Sequence, residues 1–266
     1  MDLLQALILG IVEGITEYLP VSSTGHLLIA QRLLGIAEGE AANGYAIAIQ
    51  AGAIIAVLGT YRQRVAGMVR GLAGQDPAGL RLALNIVAAF IPAAVLGVLF
   101  DARIEQYLFG VKPVIAAWVA GGLLILALGK WVAAHRNAAA LDTLTWRSAV
   151  IIGFIQCIAM WPGTSRSLVT ILGGLAVGLS LAAAVEFAFL LGVLTLTAAT
   201  AYTLLKHGHG MVEAYGWPAL LTGFIAAWAS AALAVKWMVA WLNRHGLALF
   251  AWWRFAAAGL AVLLLL

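Results

Sequence analysis

Charged residues and cysteine are scarce in this sequence. Charged residues make up 10% of the 266 residues, and hydrophobic residues make up 64%. Soluble domains carry about a quarter charged and about half apolar residues, so this composition excludes a soluble globular protein and predicts one integral membrane domain over residues 1–266. Cys157 is the only cysteine, which excludes an intrachain disulfide. The net charge of +4 is small and needs no nucleic-acid partner, because positive residues collect in the cytoplasmic loops of membrane proteins.

Long apolar runs predict an all-α polytopic fold. Two regions, about 3–35 and 148–180, are apolar but interrupted by proline, glycine, serine and charge. We expect each to form two shorter helices that meet at a polar turn, as a re-entrant helical hairpin. Other runs approach the ~20 residues that a helix needs to cross a bilayer. Six such full transmembrane helices are predicted, at about 45–61, 83–100, 113–133, 183–205, 217–240 and 249–266.

Loop charges and an internal similarity predict an inverted-topology repeat. Loops 62–82 and 130–147 have an excess of arginine and lysine, which places them in the cytoplasm. The first hairpin then dips in from outside and the second from the cytoplasm. Two copies of one hairpin plus three spans have opposite orientations, with repeat 1 at about 1–133 and repeat 2 at about 148–266. The aligned positions are Gly10 with Gly153, Glu13 with Gln156, Pro20 with Pro162, and Ser23 with Ser165.

The stretch "VEGITEYLPVSSTGH" (12–26) carries most of the chemistry in the first hairpin. Glu13 and Glu17 are four residues apart and share a helix face. A charge at bilayer depth costs about 3 kcal/mol, so such residues face a cavity or a partner. The pair is interpreted as a metal-binding or acid/base pair; the alternative is two water-exposed carboxylates at a helix end. Gly10 and Gly14 would let another helix approach closely.

Hydroxyl groups and a histidine follow the helix break that Pro20 predicts. One of Ser22, Ser23 and Thr24 could simply cap the next helix. Capping does not explain His26, whose position three residues from a serine and near two glutamates suits acid/base work.

The stretch "WPGTSRSLVTILGG" (161–174) places Arg166 between two serines in an apolar region. An arginine presents a planar fork of donors that suits phosphate oxygens. Ser165, Ser167 and the start of the next helix add donors and a positive dipole end. The alternative is a salt bridge from Arg166 to Glu13 or Glu17, and the two interpretations are compatible.

These residues together resemble the two signature motifs of the bacterial undecaprenyl-pyrophosphate phosphatase family, also called the bacitracin-resistance family. The matching stretches are "EGITEYLPVSSTGH" (13–26) and "PGTSRSLVT" (162–170). The resemblance implies an inner-membrane phosphatase that converts undecaprenyl pyrophosphate into the monophosphate carrier lipid of the cell-envelope cycle. It also implies an active site that opens to the periplasm, an inverted repeat with two re-entrant regions, and a need for a divalent cation.

The resemblance assigns roles to individual residues. The implied catalytic residues are Glu13, Glu17, Ser23, His26 and Arg166, and the implied substrate-binding residues are Ser22, Thr24, Ser165, Ser167 and Thr170. Glu13 and Glu17 would hold Mg²⁺ or Ca²⁺, hard cations that prefer oxygen ligands. Ser23 would attack the terminal phosphorus with His26 as its base, and direct attack by water stays open.

Three departures from the family pattern leave the substrate open. Leu168 stands where the family usually has a small residue, Leu181 where it often has an arginine, and Leu194 where it often has a proline. A paralogous phosphatase for another lipid phosphate is therefore an alternative. A second alternative is a flippase or transporter of polyprenyl phosphate, because transporters also combine inverted repeats with broken helices. The sequence does not decide whether the chain forms a homodimer.

Overall fold

The structure is a computed structural model that describes residues 1–37, 39–108, 110–136 and 138–266, with the backbone alone at 101, 102, 105, 207 and 243. Over these residues the chain forms eleven α-helices and two short 3-10 helices, which confirms the all-α prediction. The α-helices are α1 (Leu3–Thr16), α2 (Ser23–Leu33), α3 (Glu40–Thr60), α4 (Arg62–Leu72), α5 (Pro77–Leu108), α6 (Val111–Ala127), α7 (Gly129–Ala134), α8 (Trp146–Gln156), α9 (Arg166–Ala176), α10 (Leu181–His245) and α11 (Ala248–Leu265). The 3-10 helices are Leu141–Thr143 and Cys157–Met160.

Several of these helices can cross a membrane, so the protein is a multi-pass membrane protein. In the described part of the chain, five stretches are long and apolar enough: Glu40–Thr60, Pro77–Phe100, Leu181–Lys206, Gly208–Leu242 and Ala248–Leu265. They correspond to five of the six predicted spans. The remaining prediction, 113–133, is divided between α6, which is 17 residues long, and α7. The division falls at Leu128, with φ −90° and ψ 2°, next to the poor helix former Gly129.

The two interrupted regions form pairs of short helices, as the sequence predicts. Residues 17–22 (the first turn) separate α1 from α2, which are 14 and 11 residues long. Residues 157–165 (the second turn) separate α8 from α9, which have 11 residues each. At 1.5 Å per residue these helices reach about 16–21 Å, less than the ~30 Å hydrocarbon core. Each is therefore too short to cross a bilayer alone.

Glycine lets α1 lie directly against α10. A Cβ atom added to Gly10 would collide with the carbonyl oxygen of Gly223, and one added to Gly14 would collide with the Ser230 hydroxyl. Within lipid, burial of apolar surface gives helices little reason to associate, so close backbone approach and dispersion contacts hold them together. The helix that carries both candidate acids is thus fixed to the second half of α10.

The long helix α10 is broken at Gly216. This residue has φ 71° and ψ 160°, outside the helical region, and Pro218 follows two residues later. Glycine adopts positive φ at little cost, and proline cannot donate the hydrogen bond that would continue the helix. α10 therefore consists of two helical halves. The apolar stretch Leu181–Lys206 lies in the first half, and most of the stretch Gly208–Leu242 lies in the second.

Candidate active site

The two candidate acids are buried near the end of α1. Glu13 has no exposed surface, and Glu17, the residue at the C-cap, is 7% exposed. This contradicts the alternative of two water-exposed carboxylates at a helix end. Among the described residues, neither oxygen of Glu13 has a hydrogen-bond partner.

Glu17 connects a hydroxyl group on α2 with a cation on α9. Its Oε1 accepts a bond of 3.0 Å from Nη2 of Arg166, and its Oε2 accepts a hydrogen bond from the Ser23 hydroxyl. The salt bridge between Arg166 and Glu17, one of the two sequence interpretations of the arginine, is confirmed. Three helices therefore meet in one connected group, named here the Ser23–Glu17–Arg166 unit.

Arg166 is held on several sides and keeps one donor without a partner. Nη1 donates to the carbonyl of Ala188 at 3.1 Å, and Cζ lies 5.5 Å from the centroid of the Tyr18 ring. Gly192 makes room for the guanidinium group, since a Cβ atom there would lie 2.7 Å from Cζ. The buried Nε has no partner in the part of the chain that the structure describes. The fork can therefore still donate to an anion.

His26 does not bond to Ser23, contrary to the prediction that it is the base for this serine. Nδ1 of the imidazole lies 2.7 Å from the carbonyl oxygen of Ser22, and Nε2 accepts a 2.9 Å bond from the indole N–H of Trp253. A ring nitrogen that accepts an N–H carries no proton, so Nδ1 is the protonated one and donates to Ser22. Both ring nitrogens are therefore occupied, one by the backbone of Ser22 and the other by Trp253 on α11.

The start of α2 is uncapped, which contradicts the capping interpretation of its hydroxyl groups. Ser22 occupies the N-cap position but makes no side-chain cap bond. Its φ of 73° makes it the one non-glycine residue with positive φ among the described residues, a conformation that costs about 1–3 kcal/mol. The first N–H groups of a helix have no partner inside the helix. Their dipole end therefore stays available to a negative ligand.

The start of α9 is capped instead, and its hydroxyl groups bond mainly to the protein itself. Ser165 accepts from the N–H of Leu168 at 3.2 Å and lies 2.9 Å from the Ser167 hydroxyl. The Ser167 hydroxyl donates to the carbonyl of Leu19 in the first turn at 3.0 Å, and Thr170 donates to the Ser167 carbonyl at 3.2 Å. These serines tie the second turn to the first, a role that the sequence did not predict.

A polar cavity of about 90 Å³ lies between the two turns. Its polar lining comprises Glu17, Ser22, Ser23, Thr24, Gln50, Thr164, Ser165 and Arg166. The structure thus brings together most of the predicted site residues. Glu13, His26, Ser167 and Thr170 are not among the residues that line this cavity. Gln50 on α3 also lines the cavity, although it is not among the predicted site residues.

A larger, mainly apolar groove of about 490 Å³ shares Arg166 with the polar cavity. Helices α5 and α10 form most of its walls. The lining residues are Phe90, Ala93, Ala94, Gly97, Val98, Gln156, Ala159, Met160, Arg166, Thr195, Ala198, Ala199 and Tyr202. A polar cavity that adjoins an apolar groove matches a molecule with a charged head and a hydrocarbon tail.

The residues around Glu13 fit a hard divalent cation. Its two buried carboxylate oxygens have no hydrogen-bond partner within the described parts of the chain. A buried carboxylate without a partner is costly unless a cation or a proton compensates it. Oxygen ligands are the ones that Mg²⁺ and Ca²⁺ prefer. In the described part of the chain, no group of three or more His, Cys, Asp or Glu side chains surrounds a candidate site. The predicted pair, Glu13 and Glu17, is therefore the available carboxylate set.

The three departures from the family pattern lie in the main apolar core. Leu168 and Leu181 are buried there, and the partly buried Leu194 packs against the same core. None of the three lines the polar cavity. Apolar packing therefore accounts for each of them without a change in the polar groups of the site.

The fold and the site define a class of protein: a multi-pass membrane protein in which a buried carboxylate, a hydroxyl and an arginine meet beside an apolar groove. Within that class the chain belongs to the family described as bacitracin resistance protein BacA, whose sequence model matches residues 6–260. This confirms the resemblance seen in the motifs.

Curated relatives match along nearly the whole chain. An undecaprenyl-diphosphatase of Sorangium cellulosum is 44% identical over 97% of this chain and 85% of that protein. An undecaprenyl-diphosphatase 2 of Rhodospirillum rubrum is 44% identical over 98% of this chain and 94% of its own length. An undecaprenyl-diphosphatase of Ectopseudomonas mendocina is 44% identical, with 97% and 92% coverage.

Proposed function

We propose that this protein is an undecaprenyl-diphosphatase, which hydrolyses undecaprenyl pyrophosphate to undecaprenyl phosphate and inorganic phosphate. The observation that carries the proposal is the Ser23–Glu17–Arg166 unit, in which one carboxylate holds both a hydroxyl group and a guanidinium group. Membership of the family and the names of its relatives support the same activity.

The groove and the cavity bind different parts of the substrate in this proposal. The apolar groove accepts the prenyl chain, and the polar cavity accepts the pyrophosphate. Arg166 is common to both, so it lies where the head meets the tail. Its guanidinium group and the uncapped start of α2 offset negative charge, which is the main requirement of phosphoryl transfer.

Ser23 is the proposed nucleophile, and Glu17 is its base. Glu17 takes the hydroxyl proton as Ser23 Oγ forms a bond to the terminal phosphorus, and the bond from that phosphorus to the bridging oxygen breaks. Undecaprenyl phosphate leaves with the electron pair, and water then cleaves the serine ester to release inorganic phosphate. Direct attack by water, with Ser23 as a phosphate ligand, is the alternative route. A phosphorylated Ser23 that is trapped by rapid quenching distinguishes the two.

A divalent cation, Mg²⁺ or Ca²⁺, is proposed to bind Glu13 and Glu17. When bound it neutralises negative charge on the phosphates. Glu13 supplies two carboxylate oxygens that have no other partner among the described residues.

The proposed arrangement in the membrane is an inverted repeat with six crossings and two re-entrant hairpins. The short helices on either side of each turn support re-entry, since each is below the length that spans the hydrocarbon core. We place the protein in the bacterial inner membrane with Ser23 facing the periplasm, and a homodimer is compatible with this arrangement.

Thiol labelling tests this orientation. In a Cys157→Ala background, Ser23→Cys should react with an impermeant thiol reagent added outside intact cells. Reaction that requires a permeabilised inner membrane contradicts the periplasmic orientation.

The activity is tested with purified protein in detergent and undecaprenyl pyrophosphate. The proposal predicts release of inorganic phosphate without any transmembrane gradient. A flippase predicts no release under these conditions. Equal turnover of an unrelated short-chain lipid phosphate would favour a paralogous phosphatase with another substrate.

A further inference from the structure

Arg254 is a charged side chain without any exposed surface, a property that it shares only with Glu13 among the described residues. It lies inside α11, in the middle of the apolar run 249–266. A buried charge in a membrane-spanning helix is costly unless its donors are all satisfied. The proposed function gives Arg254 no role, and it does not line the polar cavity.

The guanidinium group of Arg254 bonds to carbonyl oxygens of both turns. Nη1 donates to the carbonyl of Pro20 in the first turn at 3.0 Å, and Nη2 donates to the carbonyl of Gly163 in the second turn at 2.8 Å. Nη2 and Nε also donate to the carbonyls of Ala117 and Trp118 in α6, at 3.0 and 3.2 Å. One rigid planar group therefore joins α11 to α6 and to both polar turns.

The surrounding backbone is shaped around this group. A Cβ atom added to Gly121 would lie 2.6 Å from Cζ of Arg254 and still closer to Nη2. Gly163 has φ 94°, a conformation that favours glycine, and a Cβ atom there would lie 2.8 Å from the carbonyl oxygen of Val114. Both glycines are needed for the approach of the second turn and the guanidinium group to α6.

The two anchored carbonyls lie close in sequence to the reacting groups. Pro20 precedes Ser23 by three residues, and Gly163 precedes Arg166 by three residues. We infer that Arg254 is a positioning residue: it holds the two turns at the separation at which Glu17 can bond to Ser23 and Arg166 together. This inference rests on the phosphatase function proposed above.

The first test replaces the planar fork and keeps the charge. Arg254→Lys leaves one ammonium group in place of a fork that reaches four carbonyls. Misplacement of reacting groups by about 1 Å can cost on the order of 10² in rate. We therefore expect kcat per folded molecule to fall by roughly that factor while KM changes by less than about twofold, since the substrate still binds.

The matched control loses a buried bond to a backbone carbonyl that belongs to neither turn. Asn85 on α5 is buried, and its Nδ2 donates to the carbonyl of Leu144 at 2.9 Å. Asn85→Ala should lower the melting temperature and leave kcat unchanged. A second variant, Gly121→Ala, keeps Arg254 but displaces its guanidinium group, so it should reproduce the kcat loss even if Arg254→Lys does not fold.

A readout that does not depend on phosphate release completes the test. In a Cys157→Ala background, the alkylation rate of Ser23→Cys reports the geometry of the first turn. Adding Gly121→Ala or Arg254→Lys should change this rate at temperatures far below melting, whereas adding Asn85→Ala should not.

The possible failures are distinguishable. If wild-type protein releases no phosphate, the proposed phosphatase function fails, and the alkylation rates still test the position of the turn. The inference about Arg254 is overturned if folded variants keep normal kcat and normal thiol reactivity. It is also overturned if activity falls only in proportion to the folded fraction.

Discussion

The region from α1 to α2 brings carboxylates and an uncapped helix to the site, whereas the region from α8 to α9 brings an arginine and a capped helix. The sequence aligns Glu13 with Gln156. Glu13 is a buried acid whose oxygens have no hydrogen-bond partner among the described residues, while Gln156 is a neutral amide whose Oε1 lies 3.5 Å from the Thr195 hydroxyl. Ser22 leaves the first N–H groups of α2 uncapped, and Ser165 caps α9. Similar turns thus supply complementary halves of one site.

The difference between the turns shows how a membrane protein can bury opposite charges at small cost. Glu17 and Arg166 arrive from different turns and meet at 3.0 Å, so each offsets the burial of the other. A phosphate that enters the cavity then meets a cation that is already held in place. Four tests examine this division of roles, from the largest expected effect to the smallest.

Removal of the charge on Glu17 should have the largest effect. Glu17→Gln changes little volume but removes the proposed base and the partner of Arg166. We expect turnover to fall by a factor of about 10²–10⁴, the usual contribution of a positioned acid or base. The measurement is steady-state phosphate release. Glu186→Gln is the control, because Glu186 is also a glutamate in an ion pair but pairs with Arg64 outside the polar cavity. Full metal-dependent release by Glu17→Gln would contradict the assigned role.

Replacement of Arg166, the first residue after the second turn, should have the next largest effect. Arg166→Lys keeps a positive charge for Glu17 but loses the paired donors that suit phosphate oxygens. We expect kcat to fall by about 10²–10³, as for the loss of one oriented donor in an oxyanion site. A melting curve of the same preparation should change little. Near-normal kcat would instead favour simple charge balance, and a large loss of stability would mean a structural role.

Glu13→Gln makes the first turn resemble the second at the aligned position. If Glu13 binds the cation, the Mg²⁺ concentration for half-maximal phosphate release should rise by at least about 10–100-fold, the loss that follows removal of groups supporting a metal site. The measurement is a Mg²⁺ titration after removal of metal by a chelator. Wild-type protein should lose activity with the chelator and regain it with Mg²⁺ or Ca²⁺. An unchanged titration in Glu13→Gln would remove Glu13 from the metal site.

Substitution of the two N-cap serines should have the smallest effect, which is on stability. It also compares the starts of α2 and α9 directly. Ser165→Ala removes a cap and should lower stability by about 1 kcal/mol, or about 2–4 °C in melting temperature for a chain of this size. Ser22→Ala removes no cap bond and should shift the melting temperature much less. Equal shifts in the two variants would mean that the two helix starts do not differ as described.

The sequence predicts the parts of this site that depend on local spacing. Glu13 and Glu17 fall on one face because they are four residues apart, and Pro20 and Pro162 lie in the turns between short helices because proline disrupts a helix. The sequence also predicts that another helix packs closely against Gly10, and α10 does so in the structure. Each of these inferences uses residues within a few positions of one another.

The contacts between distant segments could not be predicted in the same way. Trp253 reaches His26 across 227 positions, and Arg254 reaches Pro20 across 234. The partner of Ser23 was assigned to His26 from proximity in sequence, whereas the fold gives it to Glu17. The arginine within the run 249–266 was the signal that a buried partner existed, since a charge at that depth requires one. Its partners, being backbone carbonyls, carry no sequence signature.

The break at Gly216 decides where about the last fifth of the protein lies. A straight helix of the 65 residues in α10 would be about 98 Å long, more than twice the ~40–45 Å of a bilayer with its head groups. The part beyond Gly216 would then stand in water. Large apolar side chains on that part are exposed at the protein surface, among them Trp217, Leu221, Ile225, Trp228, Leu233 and Trp237. Each would cost about 1.5–3 kcal/mol outside an apolar medium. A single glycine in a left-handed conformation therefore returns the chain to lipid, where the same side chains cost nothing to expose.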